Sequence, residues 1–168
     1  MTTPQSLWQM YTDSGKAYFR LRQYRESENM LSAALQVAEQ FGPRDPRLAV
    51  SLNNMARLRQ AQKRYGDAEQ LYNRALLIAE TERGREHLDT AVCLSNLAGL
   101  FQVEGKYVDA EAAYKEAMAI MEKALGPEHA GVGRILANYA ALLKKMNRMS
   151  EADAAEARAK AIRDKAGS

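Results

Sequence analysis

The sequence predicts an all-α chain, an α-solenoid of four helix-turn-helix repeats with about eight helices. Three observations predict it. Single-residue columns recur every 41 or 42 positions, apolar side chains fall at helical spacing between those columns, and Pro is scarce, at 4 residues of 168. Gly42, Gly84 and Gly126 stand 42 apart, as do Asn54, Asn96 and Asn138. Tyr24, Tyr65, Tyr107 and Met149 follow at steps of 41, 42 and 42, and Ala34, Ala75, Ala117 and Ala159 keep the same rhythm. Independent columns sharing one period mark repeating supersecondary units, each of which buries its apolar face against the next. The chain reads as a single domain, 1–168, with repeats at approximately 5–41, 42–83, 84–125 and 126–168.

Within a repeat the elements follow in order. First helices are expected near 5–22, 46–63, 88–105 and 130–147, and second helices near 24–41, 65–83, 107–125 and 149–165. In repeat two, Leu48, Leu52, Met55, Ala56 and Leu58 form one apolar stripe, and Tyr65, Ala68, Leu71, Tyr72, Ala75, Leu76 and Ala79 form the next. The polar run Gln62-Lys63-Arg64 separates them. Asp45-Pro46 is a helix start, a capping oxygen followed by a residue that needs no donor. Gly42-Pro43, Gly84 and Gly126-Pro127 punctuate the repeats.

Leu52, Met55, Ala56, Ala68, Tyr72 and Ala75, and again Leu94, Leu97, Ala98, Phe101, Ala110, Tyr114 and Ala117, resemble the large and small packing positions of the tetratricopeptide repeat. The long period is similar to that of kinesin light chains and many bacterial proteins. The resemblance covers essentially the whole chain and implies a right-handed superhelix. Repeat one departs from the pattern with Gly15 at the helix-crossing position and Ser14 and Ser27 nearby, and repeat four with Glu156 in place of Tyr72 and Tyr114. The polar helix 149–165 reads as a solvated cap.

Charge sorts by helix. First helices with their trailing turns carry thirteen Lys and Arg against three acids, and 46–63 and 130–147 hold no acid at all. Second helices plus the tail carry nine basic and fifteen acidic residues. In the resembled family the first helices line the concave face, so the resemblance implies a basic groove suited to an acidic ligand. The bland reading is a set of ordinary solvated side chains.

By the same resemblance, Asn54, Asn96 and Asn138 point into the groove and bond the backbone of an extended peptide; the alternative is that each bonds within its own repeat. An amide offers both donor and acceptor to a peptide unit. Repeat one has Asp13 at this place. One turn on come Lys16, Arg57, Gly99 and Ala141, then Arg20, Gln60, Gln102, Val103, Lys144 and Lys145, with Arg134 adding to the basic set. Chaperone-binding relatives grip a carboxylate with a Lys/Asn/Asn/Lys/Arg clamp, which this chain matches only in part, at Lys16.

The resemblance, with the charge sorting, implies a protein-interaction scaffold or adaptor for an extended acidic segment, and no enzyme is expected. The alternatives are a self-assembling structural scaffold, through the aromatic helix bearing Trp8, Tyr11, Tyr18 and Phe19, or a sensor segment of a larger regulator. Tyr65, Tyr72, Tyr107 and Tyr114 are expected in the core. His87 and His129, 42 residues apart in equivalent turns, are expected to cap the following helices. No metal, cofactor or catalytic residue is implied, and Cys93 reads as packing. A net charge of +3 argues against nucleic acid. The lone cysteine and the absence of a leader or an apolar span point to the cytoplasm.

Overall fold

The computed structural model describes residues 3–166. Among them every regular element is a helix: α1 Pro4–Arg20, α2 Tyr24–Gln40, α3 Pro46–Ala61, α4 Tyr65–Arg83, α5 Leu88–Glu104, α6 Tyr107–Leu125, α7 Ala130–Lys145 and α8 Met149–Ala166. These eight fall in the expected places. The described residues form two compact units, divided between Gly84 and Arg85.

Each helix start has a local chemical cause. Thr3 accepts from the Ser6 amide at 3.2 Å and Asp45 from the Arg47 amide at 2.9 Å, each followed by Pro at the first helical position. The ring Nδ1 of His87 accepts from the Asp89 amide at 3.1 Å, and that of His129 from the Gly131 amide at 3.0 Å, so both histidines cap as expected. All four satisfy amides that the first turn leaves without helical partners.

First helices stop one or two residues short of the expected ends, for one repeated reason. Arg22, Lys63, Gly105 and Asn147 take left-handed backbone, with φ of 59°, 60°, 81° and 59°. The next amide then reaches back to the last turn, Gln23 to Tyr18, Arg64 to Arg59, Lys106 to Phe101 and Arg148 to Leu143, at 2.8–3.0 Å. This is a Schellman ending, which Gly fits at no steric cost and Arg or Lys only under strain.

In the first unit α1 pairs with α2 and α3 with α4, while α2 packs on α3. Ala34, Ala38, Ala56, Ala68 and Ala75 lie at the crossings with at most 1% exposure, and Leu31, Met55 and Leu58 pack among Phe19, Tyr24 and Leu71. Close-packed interiors leave no room for larger side chains at such crossings. Ser27, in the column of Ala68, Ala110 and Ala152, is fully buried and donates its hydroxyl to the Gly15 carbonyl at 2.9 Å. Arg59 on α3 and Gln62 just after it both reach Glu28 on α2, at 2.8 and 3.0 Å.

The second unit repeats the plan: α5 with α6, α7 with α8, and α6 on α7. Ala98, Ala110, Ala117 and Ala140 are fully buried. Glu111 on α6 stands at the register of Glu28. It accepts from Tyr139 at 2.7 Å and Arg148 at 2.8 Å, and pairs with Lys115 at 2.7 Å. Lys115 first, then Tyr139 and Arg148, hold its carboxyl at about 2, well below the usual range.

Candidate functional site

The expected contact residues meet most clearly in the first unit. Lys16, Phe19 and Arg20 of α1, Leu31 of α2, and Asn54 and Arg57 of α3 line a cavity of about 200 Å³. Periodicity explains why space is left here. Phe19, Gln60, Gln102 and Lys144 form one column of the repeat, and Leu31, Tyr72, Tyr114 and Glu156 its partner on the second helix. In repeats two and three the tyrosine fills the gap and its hydroxyl donates to the glutamine, Tyr72 to Gln60 and Tyr114 to Gln102, each at 3.2 Å. Repeat four replaces that bond with an ion pair, Lys144 to Glu156 at 2.6 Å. Only in repeat one is the pair apolar, and Leu31 is shorter than a tyrosine. Its side chain turns toward Gly15, where a Cβ would come within 2.5 Å of Leu31 Cδ2.

The walls are polar in one sense only. No acidic side chain among the described residues lines the cavity. Lys16, Arg20 and Arg57 have no ion pair among the described residues. The Arg57 guanidinium instead lies 5.2 Å from the Phe19 ring centre, a cation–π contact that leaves its charge unneutralised. Asn54 is 9% exposed and its amide Nδ2 has no hydrogen-bond partner. A buried donor left unmade costs about 1–3 kcal/mol until something accepts from it. Asp13, the acid of α1, is exposed and accepts from Gln9 at 2.9 Å.

The other expected contacts lie in different surroundings. Gln60 and Gln102 are engaged by their tyrosines, and burial pushes the Tyr114 phenol up to about 12, so it stays a donor. In the second unit Asn96 is half-buried and has a partner, while Asn138, Arg134 and Lys145 are exposed. Arg134 lines a separate cavity of about 260 Å³ with Gly133, Ile162 and Arg163. Of the first-helix cations expected to make a basic face, Arg47, Arg59, Arg64, Lys106, Lys144 and Arg148 are paired with acids, which narrows that face.

The aromatic residues of α1 are less available than expected. Trp8, Tyr11, Tyr18 and Phe19 are all half-buried, and the Trp8 indole N–H donates to buried Ser51 at 2.8 Å. Tyr72 and Tyr114 are core residues, while Tyr65 and Tyr107 are half-buried. Cys93 is buried. No helix among the described residues is long and apolar enough to cross a membrane.

A family model for the tetratricopeptide repeat matches residues 9–81, 51–123 and 94–165. No curated protein matches the sequence. Among solved structures, BtubC (BKLC) from P. vanneervenii superposes with a TM-score of 0.81 at 22% identity, over 98% of this chain and 66% of that one. A kinesin-light-chain-like repeat protein of P. anserina gives 0.73 at 20%, over 99% and 78%. Aspartyl phosphate phosphatase F from Bacillus subtilis gives 0.78 at 19%, over 95% and 41%. The chain thus spans just under two thirds of the first of these and well under half of the last, and the likeness is one of fold.

Proposed function

The chain belongs to the tetratricopeptide repeat family of protein-interaction scaffolds, and from that premise we propose that its first unit binds an extended acidic peptide segment at the cavity between α1 and α3. One observation carries the reading: three cations without acidic partners surround a buried amide donor that has nothing to bond. A peptide carbonyl that Asn54 meets by turning its enclosed amide toward the cavity removes the cost of that donor, and acidic side chains on Lys16, Arg20 and Arg57 supply the missing counter-charge. Because those cations are partly solvated, their main effect falls on association rate and on choice of partner.

Reversing two of them tests this. Lys16→Glu with Arg57→Glu is expected to weaken binding of an acidic peptide by at least about tenfold, roughly 1.4 kcal/mol. Fluorescence anisotropy reads the change, and undiminished binding overturns the proposal. Lys144 is the poorer choice for this test, since its reversal also breaks the pair with Glu156.

A further inference from the structure

Resting on that reading, we infer that the first-unit cavity is built for a phosphorylated side chain of the bound peptide, a phosphomonoester, in preference to a carboxylate. The inference follows from a count of donors and charges. Lys16, Arg20 and Arg57 bring three positive charges to one cavity of about 200 Å³ with no acid on its wall. A single carboxylate carries one charge and two acceptor oxygens. A phosphomonoester carries about −1.5 to −2 at neutral pH and three strong acceptor oxygens. The two arginines offer forked donors that match such a group, and the lysine offers a point charge beside it.

The remaining walls assign the rest of the ligand. Asn54 is the buried polar residue of the lining, 9% exposed with its Nδ2 enclosed and unpartnered, whereas Arg20 and Arg57 are exposed. The amide therefore takes a main-chain carbonyl and the cations take the phosphoryl oxygens. Phe19 and Leu31 supply apolar wall for the methylene that joins the two. The Phe19 ring also holds Arg57 in place, so less of its rotamer freedom is lost when the anion arrives.

Nothing equivalent is present at the same register elsewhere. In repeats two and three a tyrosine hydroxyl occupies the glutamine, and in repeat four Glu156 already neutralises Lys144. The phosphoryl preference is accordingly confined to the cavity that repeat one forms with α3 of repeat two.

The test compares three degenerate peptide libraries that differ only at the centre: phosphoserine, serine, and a Glu-Glu pair of similar charge. Each is titrated against the full chain at physiological salt. The phosphoserine library is expected to bind about tenfold more tightly than the Glu-Glu library. Lys16→Gln with Arg57→Gln is expected to bring it down to the serine level, and Asn54→Ala to weaken all three about equally. Circular dichroism confirms that the variants fold. Equal binding of the phosphoserine and Glu-Glu libraries overturns the phosphoryl inference and leaves the acidic-peptide reading standing. Failure of both overturns both. Competition by inorganic phosphate at the affinity of the phosphopeptide overturns the peptide part, since it makes the cavity a free-anion site. Phosphoserine preference retained in the Lys16→Gln, Arg57→Gln variant places recognition elsewhere and also overturns the inference.

Discussion

The two units share one plan, yet they spend their polar groups differently. In the second unit several polar groups of the first-helix face are satisfied inside the protein, Gln102 by Tyr114, Lys144 by Glu156, Arg148 by Glu111 and Glu151, and Asn96 by a partner of its own, while Arg134, Asn138 and Lys145 face solvent. In the first unit Lys16, Arg20 and Arg57 stand without acidic partners around one cavity, and the Asn54 amide is enclosed beside it with nothing to bond. A repeat fold thus fixes the positions, and on the proposed reading the pair at the 19/31 column sets whether the space beside it is filled or left open.

The largest expected effect comes from exchanging that pair. Phe19→Gln with Leu31→Tyr gives repeat one the arrangement of repeats two and three. It is expected to fill the cavity and remove peptide binding, a loss well beyond about tenfold, while folding stability changes by less than about 1.5 kcal/mol. Binding that survives, measured by calorimetric titration, breaks the comparison.

Next in size is a pair of glycine substitutions with opposite signs. Gly15→Ala drives a Cβ into Leu31 Cδ2 at 2.5 Å and Cγ at 2.7 Å, and the overpacking outweighs the gain in helix propensity, for a net loss of about 1–2 kcal/mol. At Gly99 the nearest atom a Cβ meets is Tyr114 Oη at 3.6 Å, so Gly99→Ala is expected to add up to about 1 kcal/mol. Urea unfolding followed by circular dichroism reads both.

A smaller contrast lies in the hairpin turns. Lys63→Gly relieves a side chain held at φ 60° and is expected to add about 1 kcal/mol, whereas Gly105→Ala, at φ 81°, loses a similar amount. Thermal melts of the two variants should move in opposite directions.

The smallest effect separates the acidic clamps. Glu111 ordinarily titrates at 4.5 and is held at about 2, so its contribution is full above pH 4.5 and is lost as pH falls toward 2. Glu111→Gln should therefore cost roughly 1 kcal/mol or less at neutral pH, with only a remnant left near pH 2 that disappears below it. Unfolding midpoints across that range check it. The carboxyl of Glu28 is also lowered, first by Gln62 and then by Arg59, so Glu28→Gln should lose its effect in the same direction of pH.

Most of the fold was legible in the sequence because its signals are local and periodic. The Ala columns, the Asp45-Pro46 start and the capping histidines each stand beside the backbone they control. The Schellman endings were legible at Gly105 and Asn147, residue types that suit left-handed backbone, whereas Arg22 and Lys63 give no hint of it. Of the site, Lys16, Arg20, Asn54 and Arg57 were readable as groove residues through the family resemblance, but only within a longer list that also held Asn96, Asn138, Arg134 and Lys145. Which of the other cations were free was not readable, because pairs such as Lys144 with Glu156 and Arg59 with Glu28 join different helices. The 19/31 column carries a signal of its own in the sequence, since Phe19 and Leu31 break the Gln–Tyr pattern that 60/72 and 102/114 establish.

The most direct measurement is nuclear magnetic resonance of the asparagine side-chain amides during titration with an acidic peptide. The Asn54 amide protons are expected to shift strongly and saturate with the peptide, while those of exposed Asn138 move little. Shifts of equal size at both, or a shift at Asn138 with Asn54 unmoved, would contradict the claim that the first-unit cavity is where the ligand anchors.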